Sequence, residues 1–434
     1  MDNVFSQNPS EGREACAHHE ANFLTGNCAH ASSGPPSEGR EVCAHHEANF
    51  LTGNCAHSFP GPSRMIETGG GAPEILAEAK KEFGFRRAIV VAGKTTFAKF
   101  GEKILGPLRN SGCEVEWYEK NCDVSRKAIT GLLEIIEKKA GEATAVIGLG
   151  GGKAMDLAKS VRYAPGIRAR IPLILVPTSP STCAAYSSHI VVYSENGECE
   201  KTLVPAGCAD LLALDASLLT DVPERLLSSG IADAMAKFIE SRHIFETGAR
   251  PDTGSATAFL IARSVYDFAV SSGVKALSDL KDGMTGSETL LSCARALIVE
   301  TGLVGAFGGL KCRADLAHAI GDALTHVSER GGPNDLHGLR VGYGLLVQLA
   351  FEERDEKEIL YLADLFDKLN VPGSLGSFEI RGGYDRCVDT ILDMIFSGDS
   401  IARRRRDVLS RDKVRKAVCR VEALTSKGGR HLAS

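Results

Sequence analysis

From Phe59 onward the chain alternates two hydrophobic rhythms. Short apolar runs, Arg87–Ala92 (RAIVVA), Cys113–Tyr118, Ala145–Leu149 and the 172–179 stretch PLILVPTS, stand between segments whose apolar residues return every three or four positions. Those segments include Ala72–Phe83, Thr95–Leu105 and Ser125–Lys139. The runs predict strands buried on both faces, and the longer period predicts amphipathic helices. FPGPSRMIETGG supplies an opening strand and glycine turn, and HIVVYSENGECEKTLV predicts a hairpin around Asn196-Gly197. Strands that alternate with helices at this spacing wind into a parallel sheet with right-handed crossovers. After Pro223 the strand rhythm stops, and helical periodicity runs from Glu224 to the end, broken by loops such as GARPDTGS and ERGGPND. The pattern therefore predicts an α/β domain over 58–222 and an all-α domain over 223–434. The cleft between them is the expected ligand site.

One stretch of the α/β part carries chemistry of its own, AVIGLGGGKAMDLAKS at 145–160. Its apolar strand breaks into Gly150, Gly151 and Gly152, then Lys153, then a helical stripe of Met155, Leu157, Ala158 and Val161. Glycines let main-chain N–H groups approach an anion, and the N-terminal end of the helix adds positive potential. The spacing matches neither the G-x-G-x-x-G fingerprint nor the P-loop, so an unliganded strand-to-helix turn remains an alternative.

Composition changes the picture little. A net charge of -5 argues against nucleic-acid binding. The apolar runs, such as Ile171–Val176, are too short to predict a bilayer span. No basic segment followed by an apolar core marks the start, so a cytoplasmic location is expected, with the 13 cysteines as thiols or metal ligands. Residues 1–57 differ from the rest. SEGREACAHHEANFLTGNCAH at 10–30 recurs at 37–57 with one change, Ala15 to Val42, which reads as a recent duplication or an early start. Each copy holds a Cys/His set, Cys16, His18, His19, Cys28 and His30, then Cys43, His45, His46, Cys55 and His57. No standard zinc spacing is present, and an appended tail is the preferred reading.

In the helical part three segments set metal-type ligands among apolar residues: Asp233 in SGIADAMAKF, His318 in ADLAHAIGDALT and His337 in LHGLRVGYG. One carboxylate and two imidazoles suit zinc or ferrous iron with a position left for a substrate oxygen. Taken singly, Asp233 could cap a helix, His318 could be a core histidine and His337 a loop residue. Asp322, four residues after His318, and His326, eight after it, are candidates to support that ligand.

The segments GGGK-x-x-D-x-AK at 150–159, PTSPSTCA at 177–184, DVPERLLSSGIADAMAKFIE at 221–240, AHAIGDALT at 317–325 and HGLRVGYGLLVQL at 337–349 join these residues. In order and spacing they resemble the glycerol dehydrogenase branch of the iron-containing alcohol dehydrogenase superfamily across about 58–434. The resemblance implies a Rossmann-like α/β domain that binds NAD(P), a helical domain, a metal between them and a homo-oligomer, in an architecture shared with dehydroquinate synthase. It implies Asp233, His318 and His337 as metal ligands. Lys237 stands where iron-type members place a further histidine, which favours zinc over iron. Gly150, Gly151, Gly152 and Lys153 would hold the pyrophosphate, with Asp156, Thr178, Ser181, Ser187 and Tyr193 along the cofactor side. Where NAD-preferring relatives end a strand on an acidic residue, this chain has Gly93 and Lys94, so NADP(H) acceptance is expected. Cys183 replaces the aspartate of true glycerol dehydrogenases, in a loop resembling that of hydroxycarboxylate dehydrogenase A. Without that carboxylate an anionic substrate meets less repulsion. The expected reaction is therefore metal-assisted hydride exchange with a small 2-hydroxy acid/2-oxo acid pair, with a glycerol-type polyol dehydrogenase as the alternative. Outside enzymes, the alternative is a metal-binding or interaction protein that uses a dehydrogenase scaffold.

Overall fold

The computed structural model describes residues 61–425 apart from 121–122, 140–142, 164–170, 204–206, 247–250, 398–399, 401 and 403–406. The duplicated Cys/His segment lies outside the described residues. In chain order the α/β part runs β1 (Met65–Thr68), α1 (Ala72–Phe83), β2 (Arg87–Ala92), α2 (Lys94–Asn110), β3 (Glu114–Glu119), α3 (Arg126–Lys139), β4 (Thr144–Gly150) and α4 (Gly152–Lys159). It continues through β5 (Leu173–Pro177), β6 (Ile190–Tyr193), β7 (Cys199–Leu203), β8 (Leu211–Asp215) and α5 (Ala216–Leu219). Six strands form one sheet in the order β1-β8-β5-β4-β2-β3, every pair parallel. β6 and β7 form the separate antiparallel hairpin.

The runs of the central strands are apolar at every position because both faces of the sheet are covered. Ile89, Val91 and Val146 pack into one core with α3 and α4, while Ala88, Val90, Ala145 and Ile147 pack into the other with α1 and α2. Alternate residues of one strand thus serve opposite layers. β8 is the strand that the periodicity does not announce. LLALDASLL is continuously apolar on both sides of Asp215, so nothing in its rhythm separates the strand from the helix after it. Asp215 makes the division, accepting from Ser217 N at 3.0 Å to cap α5 and from Ala72 N at 3.0 Å at the start of α1.

The rest is helical: α6 (Glu224–Glu246), α7 (Thr253–Lys281), α8 (Glu288–Arg295), a π-turn at Ala296–Glu300, α9 (Thr301–Arg313), α10 (Leu316–Leu324), α11 (His337–Phe351), α12 (Glu356–Lys368), α13 (Tyr384–Ile395) and α14 (Arg411–Thr425). α6 is the axis, buried on all sides from Leu227 to Ser241. Helix α11 is likewise buried from Gly338 to Phe351. The continuous helical run Glu288–Arg313 is long and apolar enough to cross a membrane by length and composition, yet 56% of its apolar window is buried inside the protein. Leu297 and Val304 on it belong to the helical core.

Candidate active site

The glycine turn joins β4 to α4. Gly150 sits at φ +152°, a region closed to side-chain-bearing residues, and Gly151 precedes the first turn of α4. The first-turn N–H groups of a helix have no partner within it, which leaves them to face a ligand. Lys153 pairs with Asp123, and its Nζ lies 5.3 Å from the centre of the Tyr193 ring. Arg330, from the helical part, also pairs with Asp123 and donates to Glu195 O at 3.3 Å. Thr178 N donates to Gly150 O at 2.9 Å, which sets Thr178 beside the turn, while Ser181 N donates to Ser179 Oγ at 3.3 Å. Gly93 precedes α2 and Lys94 opens it, exposed to solvent. A Cβ on Gly93 would meet nothing nearer than Lys120 O at 4.0 Å, so the space beside it is open.

Asp156 and Ser187 are committed to protein partners. Asp156 is buried, accepts from Val191 N at 3.0 Å and pairs with Lys159 at 2.9 Å. Lys159, fully buried, donates to Ala184 O and Ser187 O at 2.8 Å each and to His189 O. Ser187 Oγ accepts from His189 N at 3.2 Å. One lysine thus pins the loop that contains Cys183. That loop touches both parts of the protein: a Cβ on Gly152 would meet Thr182 Oγ1 at 2.9 Å, and one on Gly230 of α6 would meet Pro180 O at 2.0 Å. Cys183 lies near enough to Asp233 and Lys237 to feel their charges, and burial pushes its thiol upward, away from a thiolate.

Asp233, His318 and His337 come together from α6, α10 and α11, with one ligand atom of each inside a 4.8 Å span. His318 Nε2 is 3.3 Å and His337 Nε2 3.8 Å from Asp233 Oδ1. His337 can stand so close because Gly338 lets α11 touch α6: a Cβ there would lie 1.8 Å from Ser229 O. Burial holds the His337 imidazole neutral, its pKa down at about 3. Burial opposes the charge of Asp233, but Lys237 and the hydrogen bond from His318 override it and hold the carboxyl well below its usual range. Lys237 Nζ donates to Asp233 Oδ1 at 2.8 Å and lies 3.1 Å from His318 Nε2. A carboxylate and two imidazole nitrogens with Nε2 facing inward are a donor set that could hold a divalent ion.

Sequence reasoning missed Glu240. Its Oε2 lies 2.5 Å from His318 Nδ1, and its Oε1 accepts from His318 N at 3.0 Å and Asp315 N at 2.7 Å. Asp233, Lys237 and Glu240 fall at i, i+4 and i+7 on one helix, a spacing visible in the sequence. Asp322 and His326 face the hairpin: Asp322 hydrogen-bonds Cys199, and His326 lies 3.7 Å from Glu198.

A family model for iron-containing alcohol dehydrogenases matches residues 62–216. An uncharacterised oxidoreductase of Synechocystis is 31% identical over 67% of this chain and 73% of its own. Glycerol dehydrogenase of Thermotoga maritima is 28% identical, covering 73% and 84%, and hydroxycarboxylate dehydrogenase A of Escherichia coli 25%, covering 70% and 81%. The crystal structure of glycerol dehydrogenase from Schizosaccharomyces pombe superposes with a TM-score of 0.74 at 24% identity, over 87% of this chain and 93% of that one.

Proposed function

The chain belongs to the iron-containing alcohol dehydrogenase family of oxidoreductases, and on that premise we propose that it interconverts a small 2-hydroxy acid and its 2-oxo acid with NAD(P) and a divalent metal. The observation that carries this reading is the convergence of Asp233, His318 and His337 beside a loop that also touches the glycine turn. When bound, the metal supplies Lewis acidity to the substrate oxygen and the nicotinamide supplies or accepts hydride.

The chain's own residues do the rest. Asp233, His318 and His337 hold the metal, with zinc favoured over iron because Lys237 takes the place of a fourth protein ligand. Gly150 to Lys153 cradle the pyrophosphate, and Thr178, Ser181 and Tyr193 border the cofactor. Lys159 fixes the loop carrying Cys183 at the substrate. Cys183 brings no negative charge there, which favours an anionic substrate. Glycerol, named for the T. maritima relative, is the second reading, and that relative's greater identity favours it.

The test is an NAD(P)H-linked panel of 2-oxo acids, aldehydes and polyols on metal-stripped protein reloaded with zinc or iron. Highest kcat/KM on a 2-oxo acid with zinc is expected. Turnover of glycerol or dihydroxyacetone alone contradicts the hydroxy-acid reading.

A further inference from the structure

Arg313 ends α9, five residues before His318, and the charges of Asp233, Asp156 and Asp322 reach it without any of them contacting it as an ion pair. Its Nη1 is buried without a hydrogen-bond partner, and the side chain makes no ion pair with any described residue. Arg313 is half-buried, an unpaired cation drawn partly out of water is costly, and burial pushes its pKa down. α9 is broken at Gly309 (φ +58°), and beyond the break the Arg313 stem comes back against the first part of the helix, with Cδ 3.5 Å from where a Cβ on Gly305 would be. One turn earlier on the same helix is Gly302, on which Tyr186 of the Cys183 loop rests, with ring atoms 2.8 Å from a Cβ position. Arg313 therefore lies alongside that loop. The charges of Lys237, Arg313 and Lys159 all reach Cys183. Lys237 is taken by Asp233 and His318, and Lys159 by Asp156 and three carbonyls. Arg313 alone of the three has no partner among the described residues. On the same loop His189 Nε2 is also buried and unpartnered, while its Nδ1 lies 3.0 Å from Ser187 Oγ. The His189 ring lies within the field of Arg313.

We propose that Arg313 anchors the substrate carboxylate: its guanidinium pairs with the C1 carboxylate of a 2-oxo acid, His189 Nε2 adds a hydrogen bond, and the adjacent carbonyl lies toward the Asp233–His318–His337 cluster. This assignment rests on the hydroxy-acid reading and supplies its recognition chemistry. A polyol hydroxyl would leave the half-buried guanidinium unpaired, whereas a planar carboxylate satisfies it with two parallel bonds.

The test compares the zinc-loaded full chain with Arg313→Met and Arg313→Lys, using pyruvate, methyl pyruvate and competitive inhibition by propionate. Arg313→Met is expected to raise KM for pyruvate and Ki for propionate by about 10–100-fold, leaving KM for the ester within about twofold. Arg313→Lys is expected to recover part of the loss. Acid and ester shifting together, or neither shifting, overturns the assignment. If the Met variant fails to fold, the Lys variant decides: a lower acid-to-ester ratio of kcat/KM supports the anchor, and an unchanged ratio overturns it. A wild-type protein that does not prefer acid over ester overturns the hydroxy-acid reading itself. A wild-type preference that survives Arg313→Met overturns Arg313 alone.

Discussion

Glu240 determines which nitrogen of His318 faces the metal cluster. By pairing with Nδ1 it leaves Nε2 facing the Asp233 side of the cluster, and by holding the backbone of Asp315 and His318 it fixes the start of α10. Glu240→Gln keeps the shape and weakens both roles. Zinc affinity is expected to fall about 10–100-fold, read as metal retained in equilibrium dialysis against a chelator; wild-type retention would contradict the assignment. Asp233, His318 and His337 were each ambiguous singly and were joined only by the family resemblance of the segments that hold them; the structure brings them within a 4.8 Å span. Glu240 was equally visible in spacing, seven residues after Asp233, but partnership across helices is a tertiary fact. The nearer candidate in sequence, Asp322, turns instead to Cys199.

At the scale of elements, the site depends on helices that touch backbone to backbone. Gly338 brings α11 against Ser229 of α6, and a methyl group there has no space. Gly338→Ala is expected to destabilise the fold by about 1–3 kcal/mol and to separate His337 from Asp233. A lowered thermal midpoint together with lost zinc would show this, and a variant with both unchanged would refute it. The alternation of apolar runs and helical stripes made the parallel sheet and the helical part readable. It could not show β8, whose apolar run passes directly into α5, nor the pinning of the Cys183 loop by Lys159, which joins residues about two dozen positions apart in the sequence.

Across the whole molecule, the α/β and helical parts share packing, with Ala294 and Ile298 of the helical part buried in the α/β core, and are joined further by side chains and a loop. Arg330 crosses to Asp123, Thr325 Oγ1 accepts from Cys199 N at 3.0 Å, and the loop at 178–189 contacts both. The strand order, with β1 and β8 together at one edge, was not legible, because register between distant strands leaves no local signature. The open space at Gly93 beside exposed Lys94 predicts that NADPH is accepted, with KM values for NADPH and NADH of similar size. A preference for NADH of roughly hundredfold, about 2.7 kcal/mol, would remove that expectation.

The central claim is that Asp233, His318 and His337 hold a metal that activates the substrate. Its most direct test is turnover of metal-stripped, zinc-reloaded protein beside Asp233→Asn, with the fold of each checked by circular dichroism. The wild type is expected to regain activity with zinc, and Asp233→Asn to bind little zinc and lose at least about a hundredfold in kcat/KM, or about 2.7 kcal/mol of transition-state stabilisation. Equal turnover in a folded Asp233→Asn variant, or full activity in the stripped protein, would contradict it.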